Sequence, residues 1–362
     1  MQKLTYALIG CGRISPNHME AVTALKDKLT LTALCDLVPE NIQKCHNRVR
    51  DTFDNIKEYT DYKAMICEVK PDLVAVATDS GLHEEIGLFC MEQGCHVIIE
   101  KPIALSMKGA RALVAKAKEK GVVFSASHQN RFNKSIIAIR EAVEAGRFGK
   151  LHHGNAVMRW IRDEGYYKQA PWRGTWAQDG GALMNQSIHN IDLLRWMMGD
   201  DIDEVMAYTD QFTHPYMEAE DFGLAIIKFS NGSYGTVEAT VNVYPNSLEE
   251  TLSIFGETGT VRAAGKSVNL LDVWRFEGED EQAAKEKSSQ EAKNVYGQGH
   301  TLLYADVVDA IQNNRPPLID GEAGLRAVEL VLAIYQSAKE HRPVSLPLGD
   351  FSTMDMAGSF KD

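Results

Sequence analysis

Three groups of residues in this 362-residue chain have types and spacings that can do chemistry. The first is Gly10-Cys11-Gly12-Arg13-Ile14-Ser15, which follows an apolar run and opens a helix-like one. A glycine in the first place permits a tight turn, and one in the second lets the backbone approach a pyrophosphate. The N–H groups of the helix start then face that charge. Ser15 stands where a third glycine or alanine is expected, and it is still small enough for close packing. Asp36 ends the next strand-like run, where an acidic side chain takes the hydroxyls of an adenosine ribose. A carboxylate there repels the 2′-phosphate of NADP, and Leu37 and Val38 offer no arginine to offset it. The pattern therefore predicts NAD. Without the glycines, Asp36 would read as a turn cap.

The second group is Glu100-Lys101-Pro102, directly after the run HVII. In open α/β sheets, ligands bind at the C-terminal ends of strands. An ammonium there can stabilise the alkoxide that forms as a hydride departs, and help release the hydroxyl proton. The third group lies in Gly181 to Met198, which reads as one long helix. Asn185, His189, Asp192 and Trp196 fall at i, i+4, i+7 and i+11 and make one stripe. Met184, Ile188, Ile191 and Leu194 lie on adjoining faces suited to a core. An amide, an imidazole and a carboxylate are costly to bury without partners, and an ordinary exposed face would explain the stripe equally well. Arg159, Arg162, Tyr166, Tyr167 and Arg173 can supply cationic and stacking contacts to a nucleotide or a carboxylate. They read equally well as structural arginines and core aromatics.

The elements that must position these groups follow from hydrophobic rhythm. TYALIG (5–10), LTALCD (31–36), LVAVAT (73–78), HVIIE (96–100) and VVFSAS (122–127) read as buried strands, with helix-like stretches between them. That alternation predicts βαβ units and a parallel sheet. After about residue 127 the strand-like runs lengthen and become more polar, as in HHGNAVMRWI and FGLAIIKFS. SNGS at 230–233 marks a turn. The expectation is an α/β protein with a Rossmann domain over 1–127 and, over 128–362, a substrate-binding and oligomerisation domain with a large, mainly antiparallel sheet. The acidic stretch Glu277 to Gln290 reads as a solvated loop or surface helix.

A formal charge of −12 sets the chain against nucleic acid and anionic membrane, while a few cations in a cleft still permit an anionic substrate. No secretory signal and no apolar run long enough to span a bilayer is evident, so the cytoplasm is expected. All six cysteines fall in the first 95 residues with no zinc-like spacing. They read as reduced, packed thiols, and no metal site is expected.

The N-terminal fingerprint, Glu100-Lys101-Pro102, Asn130-Arg131-Phe132 and the segment GGALMNQSIHNIDLLRW together resemble the glucose–fructose oxidoreductase / inositol dehydrogenase (Gfo/Idh/MocA) family. The likeness runs over nearly the whole chain. It implies a Rossmann domain followed by an α/β domain whose open sheet builds homodimers or homotetramers. It also implies a hydride transfer between NAD and a secondary hydroxyl of a sugar, cyclitol or sugar nucleotide. Lys101 is then placed at the reacting hydroxyl, and Lys101-Pro102 as a cis or turn-forming bond. Thr78, His83, Glu100 and Gln129 are placed along the cofactor with Gly10, Gly12, Arg13, Ile14 and Asp36. His189 matches the acid/base histidine and Asp192 a residue that binds substrate hydroxyls. Many members carry aspartate where Asn185 stands, and an amide cannot share a proton with His189. Trp172-Arg173-Gly174-Thr175-Trp176 resembles the branch that oxidises the 3-hydroxyl of UDP-linked N-acetylamino sugars. That branch carries the same asparagine; Trp172 and Arg173 are expected at the cofactor, and Asn185, Asp192, Arg159 and Tyr167 at the substrate. Two other outcomes fit the family: glycoside cleavage through transient oxidation at C3, and a non-catalytic NAD-binding regulator, against which Lys101 and His189 argue.

Overall fold

The computed structural model describes residues 3–290 and 299–360. The chain forms two compact units. The first takes the described residues of Met1–Ala104, Lys108–Gln129 and Gln298–Leu325. Its sheet has six parallel strands: β1 (Leu4–Ile9), β2 (Leu29–Cys35), β3 (Lys57–Tyr59), β4 (Leu73–Val76), β5 (His96–Ile99) and β6 (Phe124–Ala126). Their order is β3-β2-β1-β4-β5-β6, the doubly wound arrangement with a switch point between β1 and β4. Both faces are covered, so β4, β5 and β6 are almost unbroken apolar runs. The short, largely exposed β3 and the helix Tyr62–Val69 carry too little pattern to be read from sequence. The helix Gly299–Asn313, from late in the chain, packs against Ser15–Ala24 in this unit. A single boundary at residue 127 does not foresee that return.

The second unit carries an eight-stranded sheet. Its strands are β7 (Leu151–Arg159), β8 (Ile202–Asp210), β9 (Phe222–Phe229), β10 (Tyr234–Thr240), β11 (Glu249–Gly256), β12 (Gly259–Ala264), β13 (Leu270–Phe276) and β14 (Val344–Ser345). The order is β13-β12-β11-β7-β10-β9-β8-β14, antiparallel throughout except for β7 beside β10. The alternation in β9 shows how the sheet is used: Gly223, Ala225, Ile227 and Phe229 are buried while Leu224, Ile226 and Lys228 are exposed. One face carries the helix Ile188–Met198. A Cβ on Gly154 of β7 would lie 2.8 Å from Leu194 and 2.9 Å from Met198, so glycine lets helix and sheet approach.

The expected single helix from Gly181 to Met198 is in fact two pieces. Ala182–Ser187 is a π-helical turn, and the α-helix starts at Ile188. A π turn advances the side chains by a different angle, so Asn185 does not continue the stripe of His189, Asp192 and Trp196 in strict α register. Such turns recur at functional sites. The acidic stretch contains the surface helix Glu281–Ser288.

Candidate active site

In the first unit the candidate residues gather at the C-terminal ends of β1, β2, β4 and β5. The chain leaves β1 through Gly10 at φ +95°, where a Cβ would sit 2.4 Å from the Ala77 carbonyl oxygen. That forces glycine. Around Gly12 nothing lies within 4 Å of an added Cβ; Gly12 and Arg13 are exposed and Ile14 is half-buried. Ser15 closes the turn by donating its hydroxyl to the Gly12 carbonyl at 2.6 Å. Asp36 braces the same turn: Oδ2 accepts the Cys11 N–H at 2.7 Å and Oδ1 the Val38 N–H at 2.8 Å. It is therefore a turn brace, whatever else it binds.

Gln129 is buried, and its Oε1 has no hydrogen-bond partner among the described residues. Such an acceptor calls for a donor. With the open backbone at Gly12 and the carboxylate of Asp36, it fits a dinucleotide, which Gly10, Gly12, Asp36 and Gln129 would hold. Thr78 is half-buried, with its hydroxyl 3.2 Å from the Asp79 carbonyl. His83 is a structural bolt: Nδ1 lies 2.8 Å from the Pro102 carbonyl and Nε2 3.2 Å from that of Thr78. Burial pulls its pKa down. It ties the β4 loop to the turn that carries Lys101.

Lys101 is half-buried and precedes a cis peptide bond to Pro102. Beside it, Glu100 joins a cluster the sequence did not reveal. The Nε2 atoms of His18 and His300 each stand 3.2 Å from Glu100 Oε1. His18 Nδ1 lies 2.6 Å from the Tyr304 hydroxyl, which is 2.8 Å from that of Tyr6. Burial pushes the Glu100 carboxyl up, but the hydrogen-bonded His300 and the close approach of His18 outweigh it and hold it well below its ordinary range. Burial also lowers His18, against the pull of Glu100. These residue types can ligate a metal, and their donor atoms fall within 4.8 Å of one another. Of the two contacts to Glu100, that of His300 Nε2 is a hydrogen bond, whereas His18 Nε2 only approaches the carboxylate.

In the second unit, Asn185, Gln186 and His189 are half-buried along one stretch of the π turn and helix. Asn185 Nδ2 donates to Oδ1 of the buried Asp179, whose Oδ2 accepts the Gly174 N–H at 2.7 Å. Gln186 Nε2 donates to Asn185 Oδ1 at 2.5 Å and to the Tyr166 hydroxyl at 2.9 Å. Arg162 Nε donates to Gln186 Oε1 at 3.1 Å, and Arg173 to the Tyr166 hydroxyl at 2.6 Å. Arg173 lies between the Tyr166 and Trp172 rings, 4.5 Å from each centroid.

Three expected substrate residues have other work in the structure. Both Asp192 oxygens are taken by Arg131, at 2.8 Å from Nε and 2.6 Å from Nη2, with Asp192 only 2% exposed. Arg131 also covers the Trp196 ring at 4.6 Å. The lower part of the stripe is thus satisfied inside the unit. Arg159 lies on the sheet face opposite the helix, where Glu238 and Glu249 each hold its guanidinium at 2.5 Å. Tyr167 is buried and packs edge-on against His214 at 5.5 Å, and burial pushes its phenol up.

Two adjacent buried carboxyls in this unit also went unread. Burial pushes Glu220 up to about 8, against hydrogen bonds from the Leu183 N–H and the Tyr335 hydroxyl at 2.8 and 2.9 Å. For Asp221 burial raises the pKa, but His214, Asn242 and two backbone N–H groups together hold it below its ordinary value. Glu220 thus anchors the start of the π turn in its neutral form.

A doubly wound sheet with a bare glycine cradle, joined in sequence to an open-sheet unit with a histidine-bearing helix, defines a two-domain dinucleotide-dependent oxidoreductase. Residues 4–128 match the NAD-binding Rossmann fold of the Gfo/Idh/MocA oxidoreductase family, and residues 140–346 match its C-terminal α/β domain. The chain belongs to that family, and its cofactor is NAD. It is 34% identical to the WlbA dehydrogenase from Bordetella pertussis, solved with NADH and UDP-GlcNAcA. The TM-score is 0.86, and the match covers 96% of this chain and 100% of that one. Myo-inositol 2-dehydrogenase of Thermotoga maritima is 23% identical over 344 residues, covering 94% of this chain and 97% of the relative. D-glucoside 3-dehydrogenase of Escherichia coli is 24% identical over 359 residues, covering 95% and 97%.

Proposed function

We propose that this chain oxidises a secondary hydroxyl of a sugar, cyclitol or sugar nucleotide, and that its substrate is a UDP-linked N-acetylamino sugar oxidised at C3. The observation that carries this reading is the half-buried His189, one turn beyond an amide held by the buried Asp179. Likeness to the WlbA dehydrogenase over nearly the full length supports the sugar-nucleotide choice. Lys101 holds its ammonium against the oxygen of the reacting hydroxyl and stabilises the alkoxide as charge develops. His189 takes the hydroxyl proton, for which a near-neutral imidazole is suited. Bound NAD supplies the hydride acceptor. Asn185 contacts a neighbouring substituent. Arg162, Tyr166 and Arg173 supply cationic and stacking surface for the nucleotide or a carboxylate. Steady-state assay of NADH formation with sugar nucleotides, free sugars and inositols tests the reading, which fails if none is oxidised.

The same reading includes a homodimer or homotetramer built on the open face of the second sheet. Tyr208, Leu224, Ile226 and Tyr234 are exposed on adjoining strands there, with Tyr208 at 61% and Ile226 at 58%. A broad apolar face of this kind marks a contact surface. The reading also places the enzyme in the cytoplasm, where its six unbridged cysteines stay reduced. Among the described residues no helix is long and apolar enough to cross a membrane.

A further inference from the structure

The polar residues around Asn185 form a chain whose direction is fixed from both ends. At one end stands Asp179, 2% exposed. Its Oδ1 accepts from Asn185 Nδ2, so Asn185 turns its nitrogen toward that carboxyl. At the other end stands Arg162, whose guanidinium only donates, so Gln186 must turn its oxygen toward Nε at 3.1 Å. One arrangement satisfies both ends: Gln186 Nε2 donates to Asn185 Oδ1, as the 2.5 Å contact shows. The amide orientations are therefore set by the Asp179 carboxyl at one end and the Arg162 guanidinium at the other. Asn185 turns its carbonyl oxygen away from Asp179, about one turn before His189.

We propose that Asp179 is a positioning residue of the active site: through its bond to Asn185 it fixes that amide as an acceptor for a donor group on the substrate, beside the hydroxyl that His189 deprotonates. This rests on the functional reading given above. It deepens that reading by naming the chemistry at this point. The substituent next to the oxidised carbon must offer an O–H or an amide N–H to Asn185.

Three variants test this: Asp179→Asn, Asn185→Asp, and the two combined. Asn185→Asp alone brings two carboxylates into hydrogen-bond contact, and they cannot both stay ionised. In the double variant the amide at 179 donates to the carboxylate at 185, which Gln186 also still meets with its nitrogen, so every bond of the chain is kept. The double variant should exceed Asn185→Asp in kcat/KM by about tenfold, the scale of coupling between contacting residues. Asp179→Asn lets the Asn185 amide turn over. It should raise KM about tenfold and leave kcat nearly unchanged, because a non-reacting contact contributes uniform binding. A merely structural role would displace the helix and lower kcat instead. Unfolding midpoint and NADH binding are measured on all four proteins. A double variant no better than Asn185→Asp, or an Asp179→Asn variant with low kcat and normal KM, overturns the proposal. If the wild type oxidises no member of the substrate panel while the unfolding midpoint lost in Asn185→Asp returns in the double variant, the pairing is real but the functional reading has failed, and the positioning role falls with it.

Discussion

Replacing Glu220 with glutamine should remove a defined part of the dependence of stability on pH. Glu220 is fully buried, accepts the Leu183 N–H and the Tyr335 hydroxyl, and keeps its proton up to about pH 8 in place of its ordinary 4.5. Between those values the folded chain binds a proton that the unfolded chain has lost, so stability falls as pH rises through that window. The contribution is fully present below about 4.5. Taking about 1.4 kcal/mol per pKa unit, the loss from this group is on the order of 4 kcal/mol between pH 5 and 9, with roughly a third of it falling between pH 7 and 9. Glutamine keeps the acceptor oxygen and has no proton to lose. Unfolding midpoints of the wild type and Glu220→Gln, recorded from pH 5 to 9, give a difference curve in which other titrating groups cancel. The variant should gain on the wild type as pH rises, by about 3–5 °C between pH 7 and 9. A flat difference curve would show that Glu220 is ionised in the fold or solvated by a path the structure does not have.

Other consequences are as direct. Asp36→Ala should weaken NAD binding, both by loosening the turn at Cys11 and by narrowing the preference over NADP; tighter or equal NADP binding by the wild type refutes the role of Asp36 in cofactor choice. Asp192→Ala leaves Arg131 buried without its carboxylate and should cost about 3–5 kcal/mol of stability, read by denaturant unfolding. An unchanged midpoint would return Asp192 to the substrate. Ile226→Arg, on the open sheet face, should shift the protein to monomer in light scattering. A wild type that is already monomeric refutes the assembly.

Much of the first unit was legible because its physics is local. Strands covered on both faces are apolar runs, and the Gly10 turn needs a conformation that only glycine adopts cheaply. The second sheet announced itself through period-two alternation, which is why β9 is legible to within a residue. What escaped depends on residues far apart in sequence. The Glu100 cluster draws on His18 and His300, and Asp192 is neutralised by Arg131. Neither pairing leaves a periodic trace. The π turn was invisible for a different reason: apolar spacing in Ala182–Ser187 fits an α-helix equally well, and only the fold shows the wider turn. Arg159 illustrates a third limit. Its strand was read correctly, but which face meets the helix was decided by Gly154, whose missing side chain admits Leu194 and Met198.

The central claim is that Lys101 and His189 carry a hydride-transfer reaction on a sugar hydroxyl with NAD. Its most direct test is NADH formation from a UDP-N-acetylamino sugar by the wild type, Lys101→Ala and His189→Ala, with NADH affinity measured in parallel. The account requires stoichiometric NADH from the wild type. Each variant should turn over about 10²–10⁴-fold more slowly while binding NADH normally, since both groups act mainly in the transition state. Full activity in His189→Ala, or release of an aglycone with no NADH formed, would contradict it.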